Sequence, residues 1–146
     1  MNLLNPVSTI MTPNPISIGV DEPLAVADKL FKQHRIHHLP VIAEGALVGM
    51  ISKSDFSFFR RGFLSDGVDK VEDDVRLNNY TAKDIMTKKL AKLDPDDKIN
   101  VALEVFRENL FFVIPVVQNE RIVGILTTFD IINNLAKDAN AVASYE

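Results

Sequence analysis

The sequence contains no cysteine, which removes disulfide frameworks and thiolate chemistry from consideration. Long apolar runs are missing as well: none approaches the roughly 18 residues needed to span a bilayer, so no membrane insertion is expected. Residues 1–6 lack the basic and apolar regions of a secretion signal, and a cytoplasmic location is expected. Positive charge is not in surplus. Sixteen Lys and Arg stand against 20 Asp and Glu, giving a net charge of -4 and a pI near 5.4, which argues against a general affinity for nucleic acid. Catalytic signatures are absent too: there is no Gly-x-Ser-x-Gly elbow, no His-Glu-x-x-His and no Walker-type phosphate loop, so no enzymatic activity is expected.

What the sequence does contain is a duplication. Residues 10–55 align without a gap to residues 85–130, 75 positions later, and twelve of the forty-six pairs are identical. Ile10-Met11-Thr12 matches Ile85-Met86-Thr87, Pro40-Val41 matches Pro115-Val116, Val48-Gly49 matches Val123-Gly124, and Asp55 matches Asp130. Each copy alone would bury too little surface to be stable, so the two are expected to pack into one cooperative unit. The expected organisation is a first repeat over residues 7–57, a connector over 58–80, a second repeat over 81–136 and a tail over 137–146. A composition of 47% hydrophobic and 25% charged residues fits a globular chain of this kind.

Each copy carries the same order of elements. A β-branched stretch, Ile16-Ser17-Ile18, precedes a helix in which Leu24, Ala27, Leu30 and Phe31 recur at helical spacing. Asp21 is placed to cap that helix and Pro23 to occupy its first turn. Ile99, Ala102, Val105 and Phe106 repeat the pattern. Two short apolar runs then flank a turn at 43–46 or 118–121, the mark of a buried hairpin. A second helix starts near Ser52 or Thr127. The order is strand, helix, strand, strand, helix. Between the copies, Phe56, Phe58, Phe59 and Phe63 read as a helix end packed on the neighbouring repeat, and the acidic stretch 66–74 as a solvated connector.

Gly49 to Asp55 and Gly124 to Asp130 both read Gly, two apolar residues, Ser or Thr, two variable residues, Asp. This pattern at a strand-to-helix junction suits a nucleotide. Backbone N–H groups at a helix start attract phosphate, the hydroxyl adds a donor, and a carboxylate one turn on can accept from ribose hydroxyls. Plain helix capping by Ser52 and Thr127, with Asp55 and Asp130 favourable in the first turn, is the competing reading. His34, His37 and His38 have spacings that would share a helix face, but Pro40 disfavours helix at Leu39 and no fourth ligand is evident, so no metal is expected.

In combination, the gapless repeats, the Ile-Met-Thr openings, the Leu/Ile-Pro-Val segments and the paired Gly-to-Asp motifs resemble a tandem pair of CBS domains, a Bateman module. The resemblance covers residues 7 to about 136. It implies an α+β, sandwich-like fold of two βαββα repeats packed by their sheets about a pseudo-twofold axis, with two clefts. It implies an adenosine-containing ligand such as AMP, ADP, ATP or S-adenosylmethionine, and no obligatory cofactor. Carried over residue by residue, one cleft combines Thr127 and Asp130 with Thr12, Pro15, Ile16, Ser17, His37 and His38. The other combines Ser52 and Asp55 with Thr87, Leu90, Ala91, Lys92, Phe112 and Val113. In the gamma subunits of the AMP-activated kinase, polar and basic side chains at the positions of His37 and His38 reach phosphates. The first cleft is therefore favoured. The implied role is a stand-alone regulatory sensor that forms a homodimer and signals to a separate effector protein. The alternative is an assembly module with vestigial pockets, docking through the apolar faces of residues 24–31 and 99–106 with the Phe56 to Phe63 cluster.

Overall fold

The computed structural model describes residues 1–62 and 70–143. The chain is mixed α/β and divides into two compact units, residues 16–90 and residues 1–15 with 91–146. The division does not follow the duplication, because the opening segment of each repeat belongs to the unit that holds the other repeat's hairpin.

In the unit of residues 16–90, β2 (Ile18–Gly19), β3 (His38–Ala43) and β4 (Ala46–Ser52) form a sheet in the order β2-β3-β4, with β2 parallel and β4 antiparallel to β3. Helices α1 (Leu24–Gln33), α2 (Lys53–Gly62), α3 (Lys70–Asn79) and α4 (Ala82–Ile85) accompany it. In the other unit, β1 (Thr12–Pro13), β5 (Val113–Gln118) and β6 (Arg121–Thr127) form an antiparallel sheet in the order β1-β6-β5, with α5 (Ile99–Asn109) and α6 (Thr128–Ala143). Both hairpins close on two residues with positive φ, Glu44 and Gly45 at 50° and 82°, Asn119 and Glu120 at 52° and 65°. This left-handed pair matches the twist of the flanking strands and fixes their register.

The apolar residues expected on one helix face lie in the cores: Leu24, Ala27 and Phe31 in one unit, Ile99, Ala102 and Phe106 in the other, are all buried. The faces of 24–31 and 99–106 are therefore occupied by their own sheets, and the expectation that they dock a partner is corrected. Helix capping also differs. Pro23, not Asp21, holds the N-cap position of α1 and makes no side-chain cap. The Leu24 N–H donates instead to the Tyr80 carbonyl, and Asp21 pairs with Lys83. A chain segment supplies the acceptor that a side chain was expected to provide.

The same arrangement recurs 75 residues on. Tyr80 O accepts from Leu24 N and Asn5 O from Ile99 N; Ala82 N donates to Glu22 O and Val7 N to Asp97 O. Further along, Thr87 exchanges backbone hydrogen bonds with Met50, and Thr12 stands opposite Ile125. Each opening segment thus edges the hairpin of the other copy. Its methionine explains the motif glycine. A Cβ on Gly49 would stand 2.5 Å from Met86 Sδ, and one on Gly124 would stand 2.5 Å from Met11 Sδ and 3.0 Å from the Thr12 carbonyl oxygen. A thioether can swing aside, but the Thr12 carbonyl, and Met86 Cβ at 3.0 Å from the Gly49 position, are held by the backbone. Gly124→Ala and Gly49→Ala are each expected to cost about 1–3 kcal/mol. Urea unfolding of both variants checks this, and an unchanged midpoint in either would contradict it.

The segment between the repeats is more structured than expected. Residues 70–79 are helical, and Asp73 is buried because Arg60 reaches it. That corrects the solvated connector over this part; residues 66–69 and Phe63 lie outside the described residues. Phe56 packs on Phe31 of its own repeat at a centroid distance of 5.6 Å, and Phe59 meets Tyr80 edge-on at 5.3 Å. Phe58 is exposed.

Candidate ligand-binding site

Ser52 ends β4 and Thr127 ends β6, so both motif hydroxyls stand where a strand turns into a helix. In α6 the pair Thr127 and Asp130 caps reciprocally. Thr127 N and Oγ1 donate to Asp130 Oδ2 at 2.8 and 2.9 Å, and Asp130 N donates to Thr127 Oγ1 at 3.1 Å. The Thr12 hydroxyl donates to Asp130 Oδ1 at 3.1 Å, which brings three expected site residues together in one unit. Their carboxylate is held in one orientation by three donors and keeps acceptor capacity on Oδ1.

The equivalent place at α2 is built differently. Asp55 N donates to Ser52 Oγ at 2.9 Å, but the Asp55 carboxylate is exposed and accepts no hydrogen bond among the described residues. Position 87 also carries threonine, yet among the described residues Thr87 bonds through its backbone, to Met50. The helix-start amides are partly engaged in both copies: Lys53 N donates to His37 O at 2.8 Å and Thr128 N to Phe112 O at 3.1 Å. Fewer N–H groups remain for a phosphate than the sequence pattern suggests.

His38 lies opposite Ser52 in the β3–β4 register, and Val113 lies opposite Thr127 in the β5–β6 register. His37, His38, Ser52, Asp55, Thr87, Leu90, Ile16 and Ser17 therefore belong to one unit, and Thr12, Pro15, Ala91, Lys92, Phe112, Val113, Thr127 and Asp130 to the other. Ile16 and Ala91 pack against the cores of their units, while Ser17, His37 and Lys92 are exposed. Burial lowers the His38 pKa below its ordinary value, His37 pushes the same way, and Asp55 opposes them.

That shift has a sign in stability. A histidine whose folded pKa is depressed binds protons more readily in the unfolded chain, so stability is lost as pH falls through about 6.5 and is level above it. His38→Gln is expected to flatten the decline between about pH 7 and 5. Denaturant midpoints across that range check it; an unchanged slope would remove His38 as the cause.

Two features went unforeseen. The Met11–Gly124 and Met86–Gly49 contacts are visible in the sequence only as separately repeated residues. An open depression of about 480 Å³ lies between Gly19–Glu22 and Ile42–Glu44, at the end of β3 away from His38, and includes none of the expected site residues. Among the described residues, no group of three or more His, Cys, Asp and Glu is placed to hold a metal ion, and no helix is long and apolar enough to cross a membrane.

A family model described as the CBS domain matches residues 7–61 and 82–137. The chain is 26% identical over 125 residues to inosine-5'-monophosphate dehydrogenase of Thermoplasma acidophilum, covering 85% of this chain but only 22% of that protein. It is 22% identical over 138 residues to the CBS domain-containing protein YhcV of Bacillus subtilis, covering 94% and 91% of the two chains. Among solved structures it is similar to the CBS domain pair of protein MJ0100 in complex with 5-methylthioadenosine and S-adenosyl-L-methionine. There the TM-score is 0.72 and the identity 26%, over 89% of this chain and 98% of that one.

Proposed function

This chain belongs to the CBS-domain family, and from that premise we propose that it is a regulatory sensor of an adenosine-containing small molecule. The observation that carries this reading is the carboxylate of Asp130, oriented by Thr12 and Thr127 at the start of α6. A fixed carboxylate beside hydroxyl groups is what recognition of a ribose diol needs, because little ordering remains to be done when the ligand arrives. The MJ0100 pair, which is captured with two adenosine-type ligands, supports the ligand class. AMP, ADP, ATP and S-adenosylmethionine are the candidates. The chain itself performs no chemistry in this reading. Its output is a change of conformation or assembly passed to a separate effector protein, and only a difference in ligand affinity between two states can drive it.

His37 and His38 are proposed to serve a phosphate group. Because burial keeps His38 largely neutral at pH 7, any charge it lends to phosphate increases only as pH falls below the ordinary histidine range. The experiment is a thermal-shift panel of AMP, ADP, ATP, S-adenosylmethionine, NADH and GTP. Ligand at 100 times its dissociation constant would stabilise the fold by about 2.7 kcal/mol. No shift with any of them at millimolar concentration would sink the sensor reading and leave the assembly role.

A further inference from the structure

We propose that Met11 and Met86 are paired sites of oxidation by peroxide, and that their sulfoxides release the opening segment of each repeat from the hairpin it edges. The chain has no cysteine and four methionines, so thioether is the only sulfur it offers an oxidant. Met50 is buried at 5% exposure, whereas Met11 and Met86 are half-buried and within reach of a small solute. Met1 is half-buried as well and serves as a control.

The chemistry balances without a cofactor. Hydrogen peroxide passes one oxygen to a sulfur lone pair: the O–O bond breaks, the S–O bond forms, and water leaves. Sulfur is oxidised and the peroxide is reduced. An apolar side chain thereby becomes polar and a strong hydrogen-bond acceptor.

Neither site has room or a donor for that oxygen. Gly124 and Gly49 are buried, and the methionine sulfurs lie so near them that a Cβ would already stand 2.5 Å away. The amides along the edge are taken. Thr87 N donates to Met50 O at 2.9 Å, Met50 N to Thr87 O at 3.0 Å, and Asn14 N to Val123 O at 3.2 Å. A sulfoxide kept against the glycine is left without a partner, and one turned to water draws its segment off the hairpin. The edge is short in both units: β1 is Thr12–Pro13 alone, and Met50 with Thr87 is an isolated bridge. Such an edge opens at the low end of local stability.

The two sites differ in consequence. Thr12 follows Met11 directly and donates to Asp130, so release of that segment also loosens the carboxylate. Among the described residues Asp55 has no such tie to Thr87. Packing alone would be served as well by leucine, which fills a similar volume, and that makes leucine the test.

The whole chain, without nucleotide, is exposed to dilute hydrogen peroxide, and peptide mass spectrometry locates each added oxygen. Met11 and Met86 are expected to oxidise at least about tenfold faster than Met50. The melting temperature is expected to fall by about 5 °C or more, and the Asn14 and Thr87 amides to lose protection from hydrogen exchange. Methionine sulfoxide reductases should restore both. Met11→Leu should keep the Asn14 amide protected under peroxide while Thr87 still opens, and Met86→Leu should do the reverse. The double variant should resist, although it retains Met1 and Met50. Met50 oxidising as fast as the other two, or an oxidised chain with unchanged melting and exchange, would overturn the proposal. So would a double variant that loses as much stability as the wild type. None of these readings needs a ligand, so a chain that shows no thermal shift with any nucleotide removes the sensor reading alone.

Discussion

Arg60→Ala is expected to remove about 3 kcal/mol of stability, a large share of what a chain this size possesses. Asp73 is the single buried charged side chain among the described residues. The Arg60 fork meets its Oδ2 with Nε at 2.9 Å and Nη2 at 2.6 Å, and Nη1 reaches Asp28 Oδ1 at 3.0 Å. Hydrogen bonding to Asp73 raises the Arg60 pKa above its ordinary value, so the guanidinium stays charged. One side chain on α2 therefore joins α1 and α3. Removing it strips the guanidinium from a carboxylate that water cannot easily reach, and the desolvation cost is left uncompensated. Asp28 suffers less, since Lys32 also bonds it at 2.8 Å. Replacing both members of the pair, Arg60→Met with Asp73→Leu, should recover most of the loss because no orphan charge remains. Urea unfolding of the single and double variants decides the matter: a loss below about 1 kcal/mol for Arg60→Ala would mean the ion pair is a surface decoration.

The second large effect is expected on ligand binding. Asp130→Ala should weaken an adenosine-type ligand by about a hundredfold or more, from losing charged hydrogen bonds worth roughly 1.5–3 kcal/mol each. It should also cost about 1 kcal/mol of stability, because the reciprocal cap with Thr127 disappears. The two losses separate when each variant's thermal shift is taken from its own ligand-free melting temperature. Asp55→Ala should cost little stability, since that carboxylate accepts no hydrogen bond among the described residues and gains only from the helix start. It should also spare binding. The reverse outcome, binding lost with Asp55 and kept without Asp130, would place the working site with His38 and Ser52. Binding untouched by either variant would refute ribose recognition by these carboxylates.

The local plan of this protein was readable from residue types. Apolar spacing located α1 and α5, the short runs around 43–46 and 118–121 located both hairpins, and the Ser/Thr-to-Asp spacing located the starts of α2 and α6. These features obey rules that act over a few residues, so a linear chain displays them. The cap on α1 was misread for the complementary reason. Asp21 has the right chemistry for a cap, but the acceptor is the carbonyl of Tyr80, far along the chain. Asp73 likewise looked like a solvated acid until the distant Arg60 gave it a counter-charge.

Residue order alone establishes that one unit is present twice, that its motifs fall at strand-to-helix junctions, and that Met11, Met86, Gly49 and Gly124 recur in step. It could not determine which methionine covers which glycine. By local pattern either opening segment fits either hairpin, because the two copies offer nearly the same register and the same gap. In the folded chain Met11 lies over Gly124 and Met86 over Gly49. The same exchange brings the Thr12 hydroxyl to Asp130 rather than to Asp55. Contacts of that range depend on how the whole chain closes, and that closure makes two similar motifs into unequal sites.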